Sequence, residues 1–282
     1  MSDKKIIFIT GCSTGIGLDA AIALKNRGHR VIASCRNKQD VDKLIAMNLE
    51  AIQLDVSSSS SIKEAFAELM EKTAGCLDVL INNAGYGQAG ALEDIHRALM
   101  RKQFETNVFG LLELTNYAIP VMRKQHKGLI INVSSILGVI SMPFRGAYNA
   151  SKYAVEGISD TLRLELSTSG IDVVTIQPGP IESKFRDNVV DKSIKDIDTD
   201  GSFFHKQYQK MLTDYKQKKS DSCFTKKPEA VISCFIHAIE SKRPKARYPV
   251  TTPAHVLIFL KKILPVRLLD RLFLRVSKKE LS

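Results

Sequence analysis

Tyr148 and Lys152 stand four residues apart in "RGAYNASKYAVEG", Arg145 to Gly157, among the small residues Ala147, Ala150 and Ser151. In a helix that spacing puts both side chains on one face, with the ammonium beside the phenol. A free tyrosine titrates at about 10, and a nearby positive charge favours its phenolate and lowers that value. A phenol tuned this way can give or take a proton near neutral pH as a general acid–base. Taken alone, the pair also fits the solvated surface of an amphipathic helix.

The elements around the pair are those of an α/β protein. Short β-branched runs occur at "IIFIT" (6–10), "VIASC" (31–35), "AIQLDV" (51–56), "VLINN" (79–83), "LIINVSS" (129–135), "VVTIQP" (173–178) and "RYPV" (247–250). Most are apolar throughout, as strands covered on both faces must be, and segments of helical length separate them. The pattern predicts a doubly wound parallel sheet of about seven strands with helices on both faces, built as a single domain over 1–282. The serine cluster at 57–61 reads as a loop and N-cap before a helix starting near Ile62.

The first run leads into "TGCSTGIG" (10–17), where Gly11, Gly15 and Gly17 are spaced four and two apart. Glycines here allow a tight turn and a close backbone approach, so that N–H groups opening the next helix face a pyrophosphate. The spacing differs from G-x-G-x-x-G, and a glycine-rich turn without a ligand is the competing reading.

Composition excludes several classes. The 282 residues are 44% apolar, enough for a full core. "MSDKKIIFITG" is too short in apolar residues for a secretory segment, so the sequence predicts no export signal. Cys12, Cys35, Cys76, Cys223 and Cys234 are odd in number and widely spaced, which reads as free thiols in a reducing, cytoplasmic compartment. The histidines show no metal-ligand spacing, and no metal is expected. The net charge is +11, but eleven Lys and Arg against Asp270 and Glu280 fall between Lys242 and Ser282. The rest is nearly neutral, which argues against a nucleic-acid binder and for a basic C-terminal feature.

Taken together, "TGCSTGIG", "LDV" (54–56), "NNAG" (82–85), "TNVFG", "VSS" ending at Ser135, "YNASK" (148–152) and "PGPIES" (178–183) resemble the short-chain dehydrogenase/reductase family in order and spacing over roughly residues 5–185. The resemblance implies a Rossmann fold and a catalytic set of Asn107, Ser135, Tyr148 and Lys152. Tyr148 would exchange its proton with the substrate oxygen while Ser135 hydrogen-bonds that oxygen. Lys152 would hold the nicotinamide ribose, the oxidised nicotinamide adding positive charge beside the phenol, and Asn107 would support a proton-relaying water. Ser134 competes with Ser135 for the serine role, and the thirteen-residue interval to Tyr148 favours Ser135. The resemblance also implies cofactor contacts from Gly11, Ser13, Thr14, Gly15, Ile16, Gly17, Asp55, Val56, Asn83, Ala84, Gly85, Tyr148, Lys152, Pro178, Gly179, Ile181 and Ser183. Ser183 stands where the family usually carries Thr.

Cofactor choice rests on the end of the second strand. NAD-binding sheets place an acidic residue there for the ribose 2′-hydroxyl. Here Cys35 takes that place and Arg36 follows, and a guanidinium binds a 2′-phosphate where a carboxylate would repel it. The expectation is NADP(H), the alternative being that Arg36 is a solvated strand-end charge beside a loop carrying Thr14 rather than a second basic residue.

Substrate contacts are expected from Ser135, Leu137 and Tyr148, with Met142, Phe144 and the "GYGQAG" loop as further wall. A lid over 184–227 carries Phe204, Tyr208, Met211, Leu212 and Tyr215 as a helical stripe. No phosphate clamp appears among these residues, so an apolar aldehyde, ketone or alcohol is expected.

The stretch 247–279, most of it in the basic segment 254–282, resembles the tail of the branch holding broad aldehyde reductases and relatives of retinol and 17β-hydroxysteroid dehydrogenases. Leu268, Leu269, Leu272, Phe273 and Val276 form an apolar stripe opposite Arg267, Arg271 and Arg275, and Pro265 divides the segment into two helices. Peripheral contact with an anionic membrane and a cap on the chain's own pocket both remain open, as does a homodimer. The function implied is an NADP(H)-dependent carbonyl reductase or alcohol dehydrogenase. A steroid- or retinol-type dehydrogenase, a lipid-ketone reductase and a cofactor-sensing module without turnover are the alternatives.

Overall fold

A computed structural model describes residues 4–182, 194–216 and 224–278; the side chains of 214–216, Ser183, and 184–193 and 217–223 of the expected lid lie outside the described set. The strands are β1 (Ile6–Ile9), β2 (Arg30–Cys35), β3 (Glu50–Gln53), β4 (Val79–Asn82), β5 (Gly128–Val133), β6 (Ile171–Gln177) and β7 (Arg247–Pro249). All pair in parallel in the order β3-β2-β1-β4-β5-β6-β7. The helices are α1 (Gly15–Asn26), α2 (Lys38–Ala46), α3 (Ser59–Lys72), α4 (Arg97–Phe104), α5 (Gly110–Lys124), α6 (Gly146–Glu165), α7 (His205–Lys216), α8 (Glu229–Glu240), α9 (Thr252–Ile263) and α10 (Val266–Val276).

The strands lack polar alternation because both of their faces are dry. Ile7 and Ile9 of β1, with Val79 and Ile81 of β4, pack under Leu24 of α1 and Phe235 of α8. Phe8 and Leu80 point the other way, into Leu69 of α3 and Leu114 and Met122 of α5. Successive residues thus serve opposite cores, as the two-residue period of a strand requires.

Chain order reverses between β1 and β4, opening a crevice beyond the carboxyl ends of these strands, where open α/β sheets bind ligands. Helix α3 begins at Ser59, three residues before the expected start at Ile62. Ser58 caps it by accepting from the Ser61 N–H at 3.4 Å. Pro265 does divide the tail: it stands as the N-cap of α10, directly after α9.

Candidate active site

The glycine loop is shaped by contacts that no side chain would permit. A Cβ on Gly17 would lie 2.3 Å from the Gly11 carbonyl oxygen, and one on Gly11 would lie 2.8 Å from Ala84 Cα. Gly11 and Gly15 take φ of +73° and +61°. Helix α1 therefore starts with its backbone uncovered: it has no acidic residue in its first turn, and the Thr14 side chain makes no capping bond. Ser13 and Thr14 are exposed beside it, with Ile16 half-buried. This is a cradle fit for an anionic group of a dinucleotide.

The "NNAG" segment braces that loop from behind. Asn83 Nδ2 donates to the carbonyls of Thr10 and Gly11 at 2.9 and 3.1 Å, and the N–H groups of Asn83 and Ala84 donate to Thr10 Oγ1 at 3.0 and 2.9 Å. Thr10 escaped the sequence reading, although it opens the motif as quoted. Asp55 Oδ1 accepts from the N–H and hydroxyl of Ser57, and the Val56 carbonyl lies where a Cβ on Gly110 would fall 1.7 Å away. Cys35 is buried at the end of β2 and Arg36 stands exposed just beyond it.

The four expected catalytic residues come from three places in the chain, the π-turn of Asn107, the turn after β5 headed by Ser135, and α6 with both Tyr148 and Lys152, and converge. Asn107 sits in a π-helical turn, Glu105–Phe109, between α4 and α5. Such turns admit an extra residue and recur at functional sites. Asn107 Nδ2 donates to the Tyr86 carbonyl at 2.9 Å and to Ser151 Oγ at 3.1 Å, while its Oδ1 accepts from the Tyr86 N–H at 3.1 Å. The loop after Asn83 is thereby pinned to α6. The sequence offered Tyr86 only within the pocket-wall loop and Ser151 only as a small packing residue; their bonds to Asn107 carry no signal in residue type.

Lys152 is buried and donates to the Val133 carbonyl at 2.7 Å, with Nζ 5.7 Å from the Tyr148 ring centre. Burial pushes its pKa down to about 8, against the opposing attraction of Glu156 one turn on. Ser135 heads a short turn, accepting from the Leu137 N–H at 3.1 Å, and its hydroxyl reaches the Pro178 carbonyl at 3.5 Å. Withdrawal from water pushes Tyr148 up to about 12, and hydrogen bonding with Ser135 pulls the other way. Burial of the phenol thus works against the lowering expected from nearby positive charge. Ser134 is buried too, and its Oγ lies 2.6 Å from where a Cβ on Gly138 would stand.

The Pro178 carbonyl also accepts from the Ile136 N–H at 2.8 Å. A Cβ on Gly179 would lie 2.0 Å from Thr251 Oγ1, and Thr251 caps α9 through the Ala254 N–H. Ile181 forms a bridge with Lys226.

Two apolar covers close on the segment after Ser135. Leu137 and Met142 pack with Ile136, Leu257, Leu260, Leu269 and Phe273 under the tail. Phe144 packs instead with Phe204, Tyr208, Met211 and Leu212. Tyr208 is fully buried; its Oη donates to Asp94 and accepts from the Ala91 N–H, at 2.7 and 2.8 Å. Ser202 donates to the same Asp94 oxygen at 2.7 Å. The tail stripe is narrower than expected: Leu269 and Phe273 are buried, whereas Leu268 and Val276 are exposed. Helix α10 rests on the body along one edge only.

This sheet, its glycine crevice and the clustered Ser135, Tyr148 and Lys152 define an oxidoreductase of dinucleotide-binding architecture. A family model described as short chain dehydrogenase matches residues 5–193, and the chain belongs to that family. It is 41% identical over 270 residues to "Uncharacterized oxidoreductase YbbO" of Escherichia coli strain K12, covering 95% of this chain and 94% of that one. It is 35% identical over 253 residues to the 3-ketodihydrosphingosine reductase of Bacteroides thetaiotaomicron, covering 90% of each. Among solved structures, a short chain dehydrogenase from Burkholderia cenocepacia J2315, in complex with NADP, superposes with a TM-score of 0.76 over 96% of this chain and 99% of that one, at 22% identity.

Proposed function

We propose that the protein is an NADP(H)-dependent reductase of apolar aldehydes or ketones, able to run in reverse as an alcohol dehydrogenase. The observation that carries this is the joint placement of Tyr148, Ser135 and Lys152 beside the glycine cradle and beneath two apolar covers. The bound nicotinamide supplies or accepts the hydride at carbon. Tyr148 gives its phenolic proton to the carbonyl oxygen in reduction and takes the alcohol proton in oxidation. Ser135 donates a hydrogen bond to that oxygen and orients it. Lys152, held by Val133, keeps a positive charge near the phenol, and Asn107 holds the loop that shapes the nicotinamide side.

NADP(H) is favoured because Arg36 is exposed directly after β2, whose last residue is Cys35 rather than an acid that would repel a 2′-phosphate. The walls are apolar and aromatic, which suits a lipid-like carbonyl compound. The 35% identical relative from Bacteroides thetaiotaomicron, named 3-ketodihydrosphingosine reductase, supports that class.

The test is an NADPH-consumption screen over medium-chain aldehydes, retinal, steroids and long-chain ketones. Tyr148→Phe should lower kcat by at least about 100-fold, the lower range for a lost general acid, with NADPH affinity within a few-fold of wild type. Turnover near wild type would sink the assignment, and a binding module without turnover would show none with any substrate. Arg36→Asp should shift kcat/KM from NADPH toward NADH by at least about tenfold. A wild-type preference for NADH would refute the choice of cofactor.

A further inference from the structure

Helix α9 faces the body with Ala254 and Leu257, and Lys261 on the same side donates to the Val139 carbonyl and to Tyr153 Oη. Its opposite side carries Val256, Phe259 and Ile263, at helical spacings of three and four, and these are 49%, 60% and 57% exposed. Val266, which opens α10, is 73% exposed, and Leu268 and Leu274 flank exposed Arg267, Arg271 and Arg275. Seven of the sixteen exposed large hydrophobic residues among the described residues fall between Val256 and Val276. Over 252–278 there are six basic residues and one acid, Asp270.

We infer that the outer face of α9 and α10 docks on an anionic lipid surface. The apolar stripe enters the interface, and the basic residues meet the headgroups. Two features select this occupant. A second copy meeting the first through a two-fold axis would bring the same arginines face to face, so like charges would oppose association. A nucleic acid would use the arginines but leave Phe259 and Ile263 in water. Neither helix is long and apolar enough to cross a bilayer, so the element lies on the surface. Its inner side packs on Leu137 and Met142, so docking turns the wall of the candidate pocket toward the lipid. The docking rests on exposure and charge alone and is independent of which carbonyl compound is reduced.

The full-length protein should co-sediment at low salt with phosphatidylcholine vesicles holding about one-third phosphatidylglycerol, and not with phosphatidylcholine alone. Binding should fall at least about tenfold at about 0.5 M salt, where the screening length is under about 5 Å. It should fall by a similar factor in Phe259→Asp and in the triple variant R267E/R271E/R275E. These side chains are exposed, so thermal unfolding should stay within a few degrees of wild type; Val256→Asp serves as a second apolar variant should Phe259→Asp misfold. Absence from the anionic pellet at low salt, equal pelleting with both lipids, or variants that pellet like wild type would overturn the proposal. Light scattering that shows a dimer dissociated by Phe259→Asp, with no vesicle binding, would assign the face to a second copy.

Discussion

The carboxyl ends of β1, β4 and β5 and the covers over them are built on different principles. At the strand ends nearly every contact ends on a main-chain atom: Thr10 holds two N–H groups, Asn83 two carbonyls, Asn107 both sides of Tyr86, and Lys152 the Val133 carbonyl. Below them Asn82 Nδ2 donates to Thr115 Oγ1 and Asn132 Oδ1, and Asn132 Nδ2 to Ser159 Oγ, each at 2.9 Å. Over the site, α7, α9 and α10 are held mainly by apolar packing, with few polar fixtures. Directional bonds to backbone fix atoms in place, whereas apolar packing tolerates exchange of like for like. The first region can keep one chemistry while the second is rewritten for another substrate.

The contrast breaks first at glycine. Gly110→Ala would drive a methyl into the Val56 carbonyl at 1.7 Å. The helix-propensity gain of about 1 kcal/mol cannot offset a backbone clash. A loss of about 3 kcal/mol is expected, seen as a fall in Tm of roughly 6–12 °C. Gly157→Ala, also in a helix but with nothing within 4 Å, should raise stability by about 0.5–1 kcal/mol. Equal effects in parallel melting curves would remove the claim that close packing distinguishes the site.

What the sequence made legible follows the same division. The strands were readable because apolar runs of β-branched residues have few other uses, and the Tyr148/Lys152 pair because its spacing is that of one helical face. Thr10, Tyr86 and Ser151 stayed hidden: a residue acting through its backbone, or through a bond to another backbone, carries no signal in its type. The π-turn that presents Asn107 was equally silent, since its extra residue leaves the apolar period nearly unchanged. Burial of Tyr148 could not be weighed either. Nor could the sequence separate Leu269 and Phe273 from Leu268 and Val276, because the body covers only part of the stripe.

A second measurement concerns Lys152, where function and stability oppose one another. Its pKa is pushed down to about 8, so below that pH the folded protein carries a buried charge that the unfolded chain keeps in water. Lys152→Met should raise stability at pH 7 by about 1–3 kcal/mol while abolishing turnover. Between about pH 8 and the unfolded value of about 10.5 the unfolded wild type holds the extra proton, so wild-type stability climbs with pH and the advantage of the variant shrinks. Chemical denaturation at pH 7 and at about pH 9.5 measures both. A variant less stable than wild type at pH 7 would mean that the Val133 bond outweighs the cost of burial.

A smaller effect is expected at Tyr208, a polar fixture in the apolar cover over Phe144. Its hydroxyl joins the Ala91 N–H to Asp94, which also accepts from Ser202, and its ring meets Phe144 edge-on with centres 6.0 Å apart. Phe144 takes φ of +56°, a conformation that surrounding contacts must hold in a residue with a side chain. Tyr208→Phe keeps the ring and removes the latch, leaving the Ala91 N–H and one Asp94 bond unmet in a buried place. The loss should be about 1–2 kcal/mol. If apolar packing governs this region, the cover stays assembled on average but opens more often. Amides of 194–216 should then exchange about tenfold faster, KM for an apolar carbonyl should rise severalfold, and NADPH affinity should hold, because Tyr208 bonds to Ala91 and Asp94 and packs on Phe144, apart from the glycine cradle. A matching loss of NADPH affinity would show that the cover and the strand ends form one cooperative unit, and the distinction between the two regions would fall with it.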